Sequence, residues 1–203
     1  MTHPTACPRC GLRFNCICHT EPTLGCTVPF LLLTHPNELG KTTNTGQLMT
    51  RTLPDCQRLI WDRVNPPQAL LEQIADPRYQ PWLLFPGDDT TPASPFQAQP
   101  GKTPLIIILD ATWQEARKMV RRSPWLAALP RLALVPQADS AYALRRNQQP
   151  GNLCTCEAGI AVLQELGFAP DADRLQEYFA TFIDIFHAEQ SGHQKKPPAH
   201  NKS

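Results

Sequence analysis

A chain of 203 residues with 41% hydrophobic side chains can bury one substantial core, so one main domain with a small appendage is expected. A formal net charge of +1 excludes a global cationic field, and any nucleic-acid partner would have to be met by local patches. No apolar run is long enough to cross a bilayer and "MTHPTACPRCGLRF" lacks an export profile, so the expected compartment is the cytoplasm, where eight cysteines indicate metal, catalysis or burial instead of disulfides.

The first element is "CPRCGLRFNCIC", which sets Cys7, Cys10, Cys16 and Cys18 in a C-x2-C followed by a C-x-C. Four thiolates from so short a segment can satisfy tetrahedral zinc, with Gly11 supplying backbone freedom for a knuckle. A closed four-sulfur site leaves no position for water, so its expected role is to fold an arm, residues 1–26, with little core of its own. The alternative is a loop of free thiols. Cys26 and Cys56 read as small buried apolar residues. Cys154 and Cys156 form a second C-x-C and read as packing or helix-start positions, with a shared metal site as the alternative.

Five apolar runs read as strands: 28–35, 56–62, 81–87, 103–110 and 131–136. Several are continuously apolar, which means both faces are covered, as in a parallel sheet between helices. Helices are expected over 45–53, 66–75 and 112–122. A fourth spans 155–167, capped by Thr155 and stopped by Gly167, and a fifth spans 171–189 with residues 175, 178, 179, 182, 183 and 186 on one apolar face. The fold class is therefore α/β, a mostly parallel sheet covered by helices over residues 27–189. Residues 87–102 read as one long structureless loop of the kind used as a lid or binding loop, and 190–203 as a disordered tail.

In "LIIILDATWQEARKMVRR" Asp110 falls where a buried strand stops, at the edge where open parallel sheets bind ligands, and it reads either as a functional carboxylate or as a strand-end residue that only caps the next helix. Thr112 and Glu115 form a capping box that starts a helix immediately afterwards and turns its free amides toward the same crevice. On that helix Trp113, Ala116, Met119 and Val120 share one side, while Arg117, Lys118, Arg121 and Arg122 spread over the other. These cations are either a solvated face or a grip on phosphates, and Arg145 with Arg146 makes a second basic patch. The loops "THPNELG", "FPGDD", "SAYALRR" and "NLCTCEAG" would gather at the same edge and form a small-molecule pocket. Tyr142 and Trp113 are candidates for stacking on a base; His35 and His187 read as structural. The absence of G-x-G-x-x-G, P-loop, H-E-x-x-H and G-x-S-x-G motifs excludes the commonest nucleotide, protease and esterase readings.

Taken in order, "CPRCGLRFNCIC", "THPNE", "NTG", "LFPG", "LDATWQEARKM" and "YALRRNQQPGNLCTCEAG" resemble the DTW-domain family over about residues 5–187, and most closely its bacterial tRNA-uridine aminocarboxypropyltransferases. The naming motif takes the form Asp110, Ala111, Thr112, Trp113, and Cys156 stands where an apolar residue is expected. The resemblance implies a SPOUT-like domain with a knotted C-terminal half that binds S-adenosylmethionine as cosubstrate. It further implies transfer of the 3-amino-3-carboxypropyl group to N3 of a tRNA uridine, at position 47 of the variable loop, releasing methylthioadenosine.

That reaction gives the residues provisional roles. Asp110, as general base with Thr112 and Trp113 beside it, forms the catalytic set, because uridine N3 must lose a proton as it attacks. Arg145 suits the carboxylate of the amino-acid tail, and Glu157 or Asp110 its ammonium. Tyr142 and Thr155 would line the cosubstrate together with the backbone of Leu84, Phe85, Pro86, Gly87 and Leu144. Arg51, Arg117, Lys118, Arg121, Arg122 and the zinc arm would hold the tRNA backbone. Two other readings compete: an RNA methyltransferase of the same broad fold, and a zinc-containing RNA-binding protein without chemistry. Oligomeric state is left open between a monomer and the dimer formed by many knotted methyltransferases, whose interface the arm and last helix would cover here.

Overall fold

The computed structural model describes residues 5–134 and 153–190. In chain order it contains β1 (Phe30–Thr34), α1 (Gly46–Thr52), β2 (Cys56–Ile60), α2 (Gln68–Ala75), β3 (Tyr79–Leu84), β4 (Ala93–Ser94) and β5 (Thr103–Asp110). These are followed by α3 (Trp113–Arg122), α4 (Pro124–Ala127), β6 (Arg131–Leu132), α5 (Thr155–Glu165) and α6 (Ala169–Gln190). The strands form one sheet in the order β2-β1-β5-β3-β6-β4, and every pairing is parallel.

The continuous hydrophobicity of β1 and β5 is explained by their central position. Successive side chains of a strand point to opposite faces, so Phe30, Leu32, Ile106 and Ile108 enter one core while Leu31, Leu33, Leu105, Ile107 and Leu109 enter the other. The first core is closed by α1, α5, α6 and the N-terminal arm, whose Leu12, Ile17 and Leu24 pack in the same cluster as Phe179 and Phe182. The second is closed by Leu70 of α2, by Ala116, Met119 and Val120 of α3, and by Leu126 of α4. Truncating Ile107, which is fully buried, to alanine would cost roughly 3 kcal/mol, the usual toll of a cavity in such a layer.

Several sequence expectations are corrected. The third strand begins and ends earlier than residues 81–87, because its register is set by pairing from Tyr79 opposite Thr103 to Leu84 opposite Ile108. Only Arg131 and Leu132 of the 131–136 run pair; residues 135 and 136 lie outside the described part. The 87–102 segment is not structureless. Ala93 and Ser94 add a parallel edge strand against Arg131 and Leu132, and the Gln80 amide holds the next stretch by donating to Gln97 O at 2.8 Å and accepting from Gln99 N at 3.0 Å. Gly87 allows this return: a Cβ there would stand 2.3 Å from the backbone nitrogen of Ala93. The short helix α4 has no counterpart among the expected elements; its Pro124 occupies the first turn, where no amide is needed. The start of α5 is capped by Cys154 and not by Thr155, with Glu157 reaching back to the Cys154 amide at 2.8 Å. Gly167 follows α5 with φ +83°, as the stop signal required, and α6 starts two residues before the expected 171. Among the described residues no helix is long and apolar enough to cross a membrane.

Candidate functional site

Asp110, the last residue of β5, is 1% exposed, and its carboxylate gathers side chains from four parts of the chain. Oδ2 accepts from the Thr34 hydroxyl at 3.0 Å and Oδ1 from the Thr155 hydroxyl at 2.8 Å, while the Asn44 amide donates to both oxygens at 2.8 and 3.0 Å. Arg58 Nη2 lies 3.9 Å from Oδ2 and donates to Asn44 Oδ1 at 3.0 Å, so the guanidinium also fixes which way Asn44 presents its amide. The backbone oxygen of Asp110 accepts from His35 N at 3.0 Å. Gly46, which opens α1, rests on this carboxylate: a Cβ would come within 3.0 Å of it, so a side chain would force the helix away. Buried Glu38 adds a second carboxylate, accepting from Lys41 Nζ at 3.0 Å. Asp110 is thus a buried hub that ties β1, the loop before α1, β2 and α5 to one edge of the sheet.

Beside it, α3 begins with the predicted capping box: the Glu115 amide donates to Thr112 Oγ1 at 3.3 Å and the Thr112 amide to Glu115 Oε2 at 3.0 Å. The Thr112 hydroxyl also donates to Oε2 at 2.7 Å, and Asn37 Nδ2 donates to Oε1 at 2.8 Å. Burial would raise the Glu115 pKa, yet the Thr112 and Asn37 hydrogen bonds and the nearby His35 outweigh it and hold the carboxyl at about 2. His35 is fixed between Glu115 and the indole of Trp61, which it stacks on at 5.5 Å. Trp113 meets Phe85 of the loop after β3 with ring centroids 6.0 Å apart, which brings the "LFPG" segment against the start of α3.

The four N-terminal cysteines form a second site. Their Sγ atoms all lie within 4.8 Å of one another, with Cys7–Cys16 at 3.6 Å and Cys7–Cys18 and Cys10–Cys16 at 3.8 Å. Metal–sulfur bonds of about 2.3 Å in a tetrahedron require sulfur–sulfur edges of about 3.8 Å, so this donor set fits a zinc ion. The backbone amides of Cys10 and Arg9 lower the Cys7 thiol to about 6, whereas burial lifts Cys18 to about 12; a bound dication would favour the thiolate at both and so oppose the effect of burial on Cys18. Cys154 and Cys156 do not join this cluster. Burial raises the pKa of both, as expected for packing thiols, and Cys26 is likewise buried.

The structure places the remaining sequence candidates unevenly. Thr155 and Glu157 stand at the start of α5, the first bonded to Asp110 and the second buried in the helix cap. Leu84, Phe85, Pro86 and Gly87 lie at the carboxyl end of the strand next to β5. Arg117, Lys118, Arg121 and Arg122 are all exposed. Arg51 differs from its expected role: its side chain is 12% exposed and bonded to Glu21 Oε2 at 2.7 and 3.1 Å, with Nη2 donating to Cys18 Sγ at 3.6 Å. It clamps the arm to α1 because Glu21, also gripped by Arg9, is buried there and needs compensating charge. Tyr142, Leu144, Arg145 and Arg146 lie outside the described residues. Sequence reading missed Thr34, Asn44 and Arg58. Thr34 opens the "THPNE" loop expected at the functional edge and Asn44 opens "NTG", which enters only through the family resemblance, whereas Arg58 carries no local signal at all.

A family model described as the DTW domain matches residues 4–187. The chain belongs to the DTW-domain family. A curated relative, tRNA-uridine aminocarboxypropyltransferase 2 of Drosophila melanogaster, is 27% identical over 145 residues, covering 70% of this chain and 57% of that protein. The chain therefore spans little more than half the length of that relative. No solved structure matches. In this DTW-domain protein the three naming residues divide their tasks: Asp110 is buried as a hub, Thr112 caps α3, and Trp113 packs against the loop that follows β3.

Proposed function

We propose that this DTW-domain protein is a tRNA-uridine aminocarboxypropyltransferase of the bacterial kind, acting in the cytoplasm on N3 of a uridine at position 47. S-adenosylmethionine is the donor and methylthioadenosine the leaving product. The observation that carries the reading is the grouping of Asp110, Thr112 and Trp113 with Thr155 at the carboxyl edge of a parallel sheet, in a family with a member named for this transfer. The remainder of the SPOUT-like architecture, including its C-terminal knot, belongs to the same proposal.

In this reading uridine N3 attacks the γ-carbon of the methionine portion, the γ-carbon–sulfur bond breaks, and its electron pair neutralises the sulfonium. Selection of that carbon over the methyl is a matter of aim, so anchoring the amino-acid tail is the main task, with Arg145 on the carboxylate and Glu157 near the ammonium. The backbone of Leu84 to Gly87 and Leu144, with Tyr142, holds the adenosine. The N3 proton must leave as the bond forms. Thr155 is more exposed than Asp110 and donates to it at 2.8 Å, which supports a relay: the nucleobase proton passes to Thr155 Oγ1 as the hydroxyl proton passes to Asp110 Oδ1. Zinc in the four-cysteine site is structural, and the exposed cations of α3 hold the tRNA backbone.

Incubation of purified protein with tRNA and S-adenosylmethionine tests the proposal. Methylthioadenosine and a uridine bearing the aminocarboxypropyl group are the expected products. S-adenosylhomocysteine would identify a methyltransferase, and RNA binding without either product would identify a non-catalytic binder.

A further inference from the structure

A cavity of about 360 Å³ opens between the loop after β3 and α3, and neither Asp110 nor the side chains bonded to it line it. Phe85 and Val120 contribute apolar surface, Arg117, Arg121 and Arg131 contribute positive charge, and Asp88 adds one carboxylate to the lining. Arg131 belongs to the framework. Its side chain is 3% exposed, Nη1 donates to Pro86 O at 2.7 Å, Nη2 pairs with Asp88 Oδ2 at 2.9 Å, and the group lies over the Phe85 ring at 5.3 Å. Its charge is matched by Asp88. Arg117 and Arg121 are one helical turn apart on the same side of α3, and among the described residues neither has an ion-pair partner. Lys118 and Arg122, equally cationic, do not line the cavity.

We propose that this cavity is a phosphate subsite that receives one phosphodiester of the RNA, with Arg117 and Arg121 as its ligands. The inference rests on the proposed tRNA substrate and separates the α3 cations into two ligands and two outward charges. A lone solvated face has no concavity. Here two unmatched forks line a recess whose wall is a third, fixed guanidinium, an arrangement whose geometry matches a compact oxyanion, and the proposed RNA substrate supplies one at every phosphodiester. Phe85 belongs to the cavity and also meets Trp113, so a phosphate held there would lie next to the aromatic pair bordering the proposed reaction edge. The subsite would position the RNA without reading its sequence.

The test is tRNA affinity of the full chain across a salt series for wild type, R117Q/R121Q, K118Q/R122Q and R117K/R121K. R117Q/R121Q is expected to weaken binding about tenfold and to make the log–log salt slope shallower by about one, as for one lost phosphate contact. K118Q/R122Q should weaken binding less, and R117K/R121K should recover part of the loss because charge is kept without the fork. All four proteins should melt alike, since the altered side chains are exposed. Equal effects of the two glutamine pairs, or an unchanged slope in R117Q/R121Q, overturn the subsite while leaving the proposed reaction standing. Failure of wild type to bind tRNA overturns the function itself. A final arm adds inorganic phosphate or a mononucleotide: protection of wild type against melting, lost in R117Q/R121Q without any change in tRNA affinity, would assign the cavity to a free phosphate compound and overturn the RNA assignment.

Discussion

Thr155, the first residue of α5, donates its hydroxyl hydrogen to Asp110, the last residue of β5, at 2.8 Å. The two residues are 45 apart in sequence, and their bond closes the edge of the sheet against the helix that follows it. One carboxylate therefore serves both architecture and the proposed proton path, and substitutions can separate the two.

Asp110→Asn would replace one acceptor oxygen with an amide that faces existing donors, at a cost of roughly 2–4 kcal/mol, together with loss of turnover. Thr155→Val removes a single bond at about 1 kcal/mol, yet it should abolish most methylthioadenosine release if the hydroxyl relays the proton. Thermal melting and product release, measured on both variants, decide the matter. Full turnover in the valine variant would eliminate the relay, and an unshifted melting temperature in the asparagine variant would contradict the hub.

Four thiolates around a dication carry a net negative charge, and the Arg51 hydrogen bond to Cys18 partly offsets it. Arg51→Met should lower zinc affinity by about tenfold in a chelator competition and destabilise the chain by roughly 2 kcal/mol, because Glu21 loses its better-buried partner. Removal of the metal itself should lower the melting temperature further, with about one zinc released per chain. Wild-type zinc affinity in the methionine variant would assign Arg51 to holding Glu21 alone.

The Glu115 carboxyl, at about 2 in the folded chain against an ordinary 4.5, contributes stability that is complete above pH 4.5 and is lost as pH falls toward 2. The Glu115 side chain is 18% exposed, so solvent screens only part of this effect and the contribution is on the order of 2 kcal/mol. Acid denaturation of wild type and Glu115→Gln should show a stability difference that shrinks across this window. Parallel curves from pH 4.5 down to pH 2 would contradict the assignment.

Gly87→Ala would press a methyl against the Ala93 backbone, which cannot move without releasing β4, and the expected cost is roughly 2 kcal/mol. The readout is local: the Ala133 amide, bonded to Ser94 O at 2.9 Å, should exchange its hydrogen faster. Unchanged exchange there would mean that the loop accommodates the methyl elsewhere.

Much of the fold could be read from local pattern. In β5, a run of isoleucines ending in a carboxylate marks both the strand and its last residue, and the Thr112–Glu115 box fixes the start of α3, because each signal lies within a few residues. The end of the third strand is hidden in the sequence because the apolar run continues through Phe85 and Pro86 after pairing has stopped, and only its partner's register reveals it. In the site, Asp110 was legible from its place at a strand end, but its donors were not. Arg58 looks like an ordinary polar residue of an edge strand, and Arg51 like an ordinary helix-surface cation. Each is defined by a partner more than ten residues away, Asn44 for one and Glu21 for the other, and pairings of that kind leave no trace in local periodicity.

The Glu189 carboxylate of α6 accepts from the amides of Phe14 and Asn15, at 2.7 and 3.3 Å, inside the loop between the two cysteine pairs. These partners are 175 and 174 residues apart. During synthesis the cysteine loop emerges well before the helix against which it docks, so any metal taken up by the four cysteines at that stage would be bound before the loop has its final support. The knuckle made early is finished late, and trimming the last turn of α6 would be felt at the opposite end of the polypeptide.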